Sequence, residues 1–426
     1  MIQIKNLEQL EKTEQGKPIL ELKEYEKIHF VGDKLSILKE EEKICEQLEE
    51  DYKIQISQST TGIKISADWF VGAREFTNFI LYVGPKFVKL ENLGRMIDFS
   101  YDLEIDESDD EIRFNPGVSQ PLEFVINSFV QTCGILIKKG LYRSYQIHNN
   151  DVSFLKGRIL LKNQIQNDLK FNMKFNCEYD EFTSNNLENQ IILYTLKICK
   201  ILTKFPQRKI RIQKLIHQID SQIGEKQIIV NDFRKIQYTR LNSRYGKPHD
   251  LAKLIIKNIG IKNLKYQKTR FIVPFFVPTP KLFEKFLENL FFNYHQKDLL
   301  VKGQKRFQAW YNDGKPQGDG GIKPDILLYK DNQIFSIIDA KYMKDVKESQ
   351  KYQIAFYLNY LKNPLGHAIL PYEDIDDYDL SVPKLNITIK IKHVKIDSIL
   401  NTLYSKNKSK EEIKNEMQEL LEILIQ

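Results

Sequence analysis

The sequence predicts a mixed α+β protein: a β-rich N-terminal domain (residues 1–115), a basic middle region of strands and helices (116–272) and a C-terminal α/β domain (273–426). Three observations predict that order. The segment KISADWFVGAREFTNFILYVGPKFVKL (64–90) mixes β-branched and aromatic residues with glycine-containing breaks, the pattern of short strands. Lysines then recur at three- and four-residue spacing through the middle of the chain, which places them on one helical face. From residue 281 onward a helical pattern, strands, a hairpin and a second helix follow in turn. A chain of 426 residues is too long for one ordinary core, so two or three domains are expected.

Taken in order, Lys34 to Asp51 is dense in Glu, Lys and Leu and reads as a helix. The acidic run Asp102 to Glu111 reads as a solvated loop, or as a contact for a basic partner surface. Asn115-Pro116-Gly117 marks a boundary. PLEFVINSFVQTCGILIKKGL (121–141) has helical periodicity, with Gly140 as its stop. Residues 154–182 read as a hairpin or pair of strands, and a long helix is expected from Ser184, capped by Ser184 or Asn185 with Glu188 in its first turn. Two acid-free basic stretches follow, Asn189 to Ile219 and Leu251 to Phe283; each is either a solvated face or a phosphate-contacting surface. VPFFVPTP (273–280) cannot be a helix interior and reads as a linker.

With 42% hydrophobic and 28% charged residues the chain has a globular composition, and no apolar run is long enough to span a bilayer. The N-terminus MIQIKNLEQLEK lacks the apolar stretch of a secretory signal, so a cytoplasmic location is expected. Cys45, Cys133, Cys177 and Cys199 lack the paired spacing of a zinc site or disulfide framework. The net charge of +7 is compatible with a polyanionic partner such as double-stranded DNA. No GxxxxGK(S/T) loop cradles a nucleotide phosphate; GDGG (318–321) lacks the following Lys-Ser/Thr and reads as a loop.

The chemistry concentrates in KPDILLYKDNQIFSIIDAKY (323–342). Asp325 opens the apolar strand ILLY, Lys330-Asp331-Asn332-Gln333 reverses the chain, and IFSIID returns to end on Asp339-Ala340-Lys341. Two carboxylates and a lysine therefore meet at one end of a hairpin. Side chains two apart share a face, so Asp339 and Lys341 point together while the side chain of Ala340 points away. Two carboxylates can hold a hard, partly hydrated Mg²⁺ that neutralises phosphate charge and lowers the pKa of a bound water. A nearby lysine can orient or help deprotonate that water. This is the PD-(D/E)xK pattern of metal-dependent nucleases, with Asp325, Asp339, Ala340 and Glu284 as the metal-binding positions and Lys341 beside them. The preceding helix KLFEKFLENLF offers Glu284 or Glu288 as a third carboxylate, with LFEKF favouring Glu284. Gln353 and Tyr357 lie four apart on the following helix, an arrangement that lines the active site in a subset of these enzymes.

Beyond this motif the sequence resembles the McrC family, nuclease subunits of the 5-methylcytosine-specific (type IV) McrBC restriction systems. The blocks that carry the resemblance are FVGAREFTNFILYVGPKF (70–87), LGRMIDFSYDL (93–103), GLYRSYQ, FLKGRI (154–159), CEYDEFTSNNLENQIIL (177–193), DFRKIQYTRLNSRY (232–245), LFEKFLENLF and the PD…DAK hairpin. The resemblance implies an endonuclease for modified DNA that acts with a McrB-like AAA+ GTPase ring and stimulates its GTP hydrolysis. GTP is then expected on the partner, and residues 1 to about 115 on the ring. The chain looks longer in its N-terminal and middle parts than compact members. Two other readings stand beside this one: a stand-alone repair nuclease with the same site, and a non-catalytic adaptor of a AAA+ ring.

Overall fold

Alternating buried and exposed residues set the strands of the N-terminal segment, as in Ile19–Lys23 and Lys27–Val31, where every second side chain enters the core. The computed structural model describes residues 3–6, 10–12, 17–32, 35–101, 120–265, 275–313, 315–316, 321–372, 375–405 and 407–426. The acidic run 102–111, Asn115-Pro116-Gly117, residues 318–320 of GDGG, and residues 266–274 of the second basic stretch and of VPFFVPTP lie outside the described residues. Two compact units result: Met1–Phe124 with Arg270–Gln426, and Val125–Thr269. The N-terminal and C-terminal parts of the chain thus share one unit. Both units are of mixed α/β character.

In the first unit the N-terminal elements are β1 (Gln3–Asn6), β2 (Ile19–Lys23), β3 (Lys27–Val31), α1 (Glu42–Tyr52), β4 (Ile54–Ser59), β5 (Gly62–Ala67), β6 (Phe70–Glu75), β7 (Ile80–Gly84) and α2 (Leu90–Ser100). The short strands expected over 64–90 are β5, β6 and β7. The helix expected from Lys34 begins later, with a 3-10 turn at Lys39–Glu41 leading into α1. Glu41 fixes that start: one carboxylate oxygen accepts from the Leu38 N–H (3.0 Å) and the other from the Thr77 N–H (2.7 Å). One sheet has the order β1-β3-β5-β4. Gly62 sits at its tight β4–β5 turn with φ +154°, and a Cβ there would lie 2.0 Å from the Phe30 carbonyl oxygen. Gly62→Ala is expected to destabilise this unit by about 3 kcal/mol in urea denaturation, because the β3–β5 pairing must open to admit the methyl group.

The second unit contains α3 (Gln120–Lys138, its first turn counted with the first unit), β8 (Ser144–Val152), β9 (Arg158–Ile159), α4 (Leu161–Leu169), β10 (Phe175–Thr183), α5 (Leu187–Leu202), α6 (Pro206–Ile219) and α7 (Gly246–Lys265). Gly140 ends α3 with φ +88° and donates to Ile137 O, as a glycine stop should. The stretch 154–182 is not simply a strand pair: α4 stands between β9 and β10. Its apolar residues Leu161, Ile165 and Leu169 recur every fourth position and are exposed. The cap of α5 is Asn186, whose side chain accepts from the Asn189 N–H at 3.1 Å, rather than Ser184 or Asn185. Within the first basic stretch, Lys197 pairs with Asp220 (2.9 Å) and Glu225, and Arg208 is buried against the Phe205 ring. These two cations serve the unit's own packing, while Lys200, Lys209 and Lys214 are exposed.

The C-terminal part of the first unit runs β11 (Phe275–Pro278), α8 (Thr279–Tyr294), β12 (Leu300–Gly303), β13 (Phe307–Gln308), β14 (Tyr311–Asn312), β15 (Lys315–Pro316), β16 (Gly321–Ile322), β17 (Ile326–Lys330), β18 (Gln333–Ala340), α9 (Glu348–Tyr360), β19 (Leu365–Pro371), β20 (Tyr378–Val382), β21 (Ile387–Val394), α10 (Ile396–Leu403) and α11 (Lys410–Ile425). The expected linker VPFFVPTP is instead structural. Phe275–Pro278 adds an edge strand to the sheet β11-β6-β7-β2, and Thr279-Pro280 opens α8. Proline is tolerated at both places, since an edge strand and a first helical turn each spare one N–H. Phe276 is fully buried there, its ring 4.8 Å from Tyr52. The main sheet has the order β12-β17-β18-β19-β21-β20, and α9 packs Ile354 and Leu358 into a core with Leu327, Ile337, Ala368 and Ile389. Among the described residues, no helix is long and apolar enough to cross a membrane.

Candidate active site

The site is built at the end of the β17–β18 hairpin. Asp331 and Asn332 turn the chain with φ +50° and +62°, the backbone of a tight two-residue hairpin turn, and pair Lys330 with Gln333. Apolar residues on both strands fix the register Ile326↔Ile338, which brings Asp325 level with Asp339. Asp325 Oδ2 accepts the Ala340 N–H at 2.8 Å, so its carboxylate is tied to the end of the neighbouring strand. β18 is a central strand, and Asp339 is only 2% exposed.

Lys341 extends beyond the strand, its N–H given to Ile369 O at 2.9 Å. Its Nζ lies 2.6 Å from Asp339 Oδ2. The buried Oδ2 thus has the Lys341 ammonium beside it and no other partner. The same Nζ donates to Gln353 Oε1 at 3.2 Å, and Gln353 Nε2 donates to Tyr357 Oη at 2.9 Å. On α9, Ile354 and Leu358 face the core, which leaves the stripe one residue earlier, Gln353 and Tyr357, at the site's edge. Gln353→Ala is expected to free the lysine head and lower any Mg²⁺-dependent cleavage about tenfold, read in a steady-state assay, with little effect on melting.

Asp325 is pushed up to about 8, first by burial and then by the negative charges of Asp339 and Glu284. Burial also raises Glu284, and the Lys341 cation opposes the Asp339 carboxylate in setting it. For Lys341, burial disfavours the ammonium, but Asp339 and Asp325 together hold its pKa above the ordinary lysine value. Tyr357 is raised by burial and by Asp339. Glu288 is raised by burial too, yet the charges acting on it are those of Lys285 and Lys323, not of the aspartates. Of the two glutamates on α8, Glu284 is therefore the one coupled to the Asp325–Asp339–Lys341 group. Glu288 instead packs against Gly303.

Among the described residues, no three His, Cys, Asp or Glu side chains gather closely enough to hold a metal ion by themselves. Mg²⁺ does not require that; one or two carboxylates suffice when waters complete its shell. The donor set fits such an ion on two counts. Asp339 Oδ2 is buried with no partner but the Lys341 ammonium, and the burial and neighbouring negative charge that raise Asp325 are what a further cation would relieve. Ala340 could contribute only its main-chain carbonyl, because its side chain is a methyl group. Sequence reasoning overlooked Lys323, which donates to Gln304 Oε1 at 2.8 Å and acts on both Glu284 and Glu288. Its place two residues before Asp325 was the available signal.

Comparison with known proteins bears on the whole chain. No curated protein sequence matches. A refined half-complex from a tetradecameric assembly of Thermococcus gammatolerans McrB AAA+ hexamers with bound McrC contains a chain of similar fold. The identity is 19%, the likeness covers 96% of this chain and 100% of that one, and the TM-score is 0.51. A cryo-EM structure of the Thermococcus gammatolerans McrBC complex is similar over 65% of this chain and 88% of that one, at 23% identity and TM-score 0.43. The family model for the McrBC 5-methylcytosine restriction system component matches residues 65–372, a span that contains the hairpin and both helices flanking it. The chain belongs to the McrBC 5-methylcytosine restriction system component family.

Proposed function

We propose that this chain is the McrC-like nuclease subunit of such a system, cutting double-stranded DNA that carries methylcytosine by metal-dependent phosphodiester hydrolysis in a PD-(D/E)xK domain. The observation that carries this reading is the placement of Lys341 Nζ 2.6 Å from Asp339 Oδ2, with Asp325 tied beside them. Asp325 and Asp339, with the Ala340 carbonyl, would hold a divalent cation such as Mg²⁺, and Glu284, expected as a third ligand, acts on them from farther off through its charge. When bound, that cation supplies charge neutralisation at the scissile phosphate and a water of lowered pKa. Lys341 presents its ammonium to the phosphate and to the attacking water, and stabilises the extra negative charge of the transition state. Gln353, backed by Tyr357, holds the lysine head in one position. The exposed lysines of α6 and of the first half of α7 are suited to sequence-independent phosphate contact, which makes DNA binding fall steeply with salt.

The partner in this reading is a McrB-like AAA+ ring, which would bind and hydrolyse the GTP. Residues 1–115 were expected to meet that ring. A second surface competes with them, because exposed apolar side chains concentrate between residues 144 and 183 of the second unit. Phe154 is 84% exposed, Phe171 92% and Met173 97%, beside the outward stripe of α4. So many large apolar side chains facing solvent within one short segment suit a partner surface. Phe171 ends α4 as its left-handed C-terminal residue (φ +55°), with the Asn172 N–H reaching back to Asn167 O at 2.9 Å. We therefore place the ring contact on this module.

The test is to mix the full chain with the AAA+ protein of its own system, GTP, Mg²⁺ and methylated DNA. Cleavage that needs all four components, and is lost in Asp325→Asn, is the expected result. Cleavage of unmodified DNA by the chain alone would favour a stand-alone nuclease. An unchanged complex after Lys341→Met would favour a non-catalytic adaptor.

A further inference from the structure

Glu24 has no part in the hydrolysis described above, yet it is completely buried and touches the supports of that site. It lies in the turn between β2 and β3. Its Oε2 accepts the Lys86 N–H at 3.0 Å and the Tyr342 hydroxyl at 3.1 Å, and its Oε1 accepts the Thr279 hydroxyl. Tyr342 directly follows Lys341. Thr279 is the first residue of α8, five positions before Glu284, and its hydroxyl and N–H also approach Trp69 O at 2.9 and 3.2 Å. The neighbouring Tyr25 donates its hydroxyl to the Tyr342 carbonyl at 2.7 Å. Phe87 and Phe283 pack on the Tyr342 ring, with centroids 5.0 and 5.7 Å away. One carboxylate therefore joins the start of α8 to the end of the β18 segment.

Stability alone gives little reason for this arrangement. A buried acid is costly to desolvate, and apolar residues of similar volume often hold a core as well or better. What a fully hydrogen-bonded carboxylate supplies instead is direction: three donors from three separate segments, at Lys86, Thr279 and Tyr342, converge on it. We propose that Glu24 is a positioning residue for the nuclease site. Through Thr279 and Tyr342 it sets the spacing between α8 and the Asp339-Ala340-Lys341 strand end, and with it the affinity of the carboxylate group for a divalent cation. This rests on the metal-dependent reading of the preceding subsection.

The experiment is calorimetric titration of Mn²⁺ into the full-length chain, with melting curves run alongside, for the wild type, Asp325→Asn, Glu24→Gln and Tyr342→Phe. Tyr342→Phe keeps the ring in its aromatic packing and removes only the hydroxyl, so it remains informative if Glu24→Gln folds poorly. The expected result is loss of binding in Asp325→Asn and about tenfold weaker binding, at unchanged stoichiometry, in each of the other two. The Glu24→Gln/Tyr342→Phe double variant should bind no more weakly than Glu24→Gln, because the two act through one bond. A purely structural role would lower the melting temperature and the stoichiometry but leave the affinity of the folded fraction alone. Wild-type affinity in both positioning variants, with binding still lost in Asp325→Asn, overturns the role of Glu24 and leaves the nuclease reading standing. A wild type that binds no Mn²⁺, or an Asp325→Asn chain that binds it equally well, overturns both.

Discussion

Asp325→Asn is expected to lower cleavage by the reconstituted complex roughly a thousandfold or more, while DNA binding is retained and the free protein becomes more stable. The loss follows from removing one of two carboxylates that would hold the cation. The gain follows from the charge that the fold now tolerates at a cost. Asparagine keeps an oxygen for the Ala340 N–H and removes a carboxylate held against Asp339 in a buried site. Burial raises Asp325 from 3.8 to about 8, so the folded protein holds a proton that the unfolded chain releases. The stability associated with that proton is full below the unfolded value and is lost as pH rises toward 8. Wild type should therefore fall progressively behind Asp325→Asn in melting temperature as pH rises from 5 to 8. The difference reports Asp325 together with the groups it acts on, Lys341 and Tyr357 among them. Adding Mg²⁺ should raise the melting temperature of the wild type and not of the variant, because only a bound ligand stabilises. Parallel melting curves across this pH range would contradict the carboxylate pair as the site.

The second large effect is expected far from the hairpin in sequence. Phe154→Ser combined with Phe171→Asn should abolish stimulation of the partner's GTP hydrolysis at concentrations where wild type saturates. Truncating an aromatic anchor at the centre of an interface costs about 2 kcal/mol, roughly thirtyfold in affinity for each of the two. Folding should not suffer, since both side chains are solvent-exposed. Asparagine accepts a left-handed backbone more readily than phenylalanine, so Phe171→Asn alone should leave the melting temperature unchanged or raise stability by up to about 1 kcal/mol. GTPase stimulation by the double variant at wild-type concentrations would move the ring contact back to residues 1–115.

Much of the candidate site was legible because its signals are local. A strand alternates its side chains every residue, so Asp339 and Lys341 had to share a face once IFSIID was read as a strand. The polar turn Lys330–Gln333 announced the hairpin, but a register shift between Leu328 and Tyr329, which no local signal marks, is what brings Asp325 level with Asp339. Four-residue spacing put Gln353 beside Tyr357. The misreadings came where local rules compete. Leu161, Ile165 and Leu169 carried a helical period inside a segment otherwise read as strands. Their stripe faces solvent, so it was not recognised as the apolar face of a helix. The prolines of VPFFVPTP read as breaking structure, although an edge strand accommodates Pro278 and a first helical turn Pro280.

The sequence by itself determined the hairpin, its two aspartates and lysine, the helices on either side and the family resemblance, because periodicity and turn chemistry act over a few residues. Only the tertiary structure distinguishes the surroundings of Glu284 and Glu288, since both lie on one helix and differ in which charges act on them. Only it raised Asp325 to about 8, because that shift comes from burial and from carboxylates brought in by other elements. And only it brought Glu24 against Tyr342, 318 positions away, because a hydrogen bond between distant segments leaves no period in the sequence.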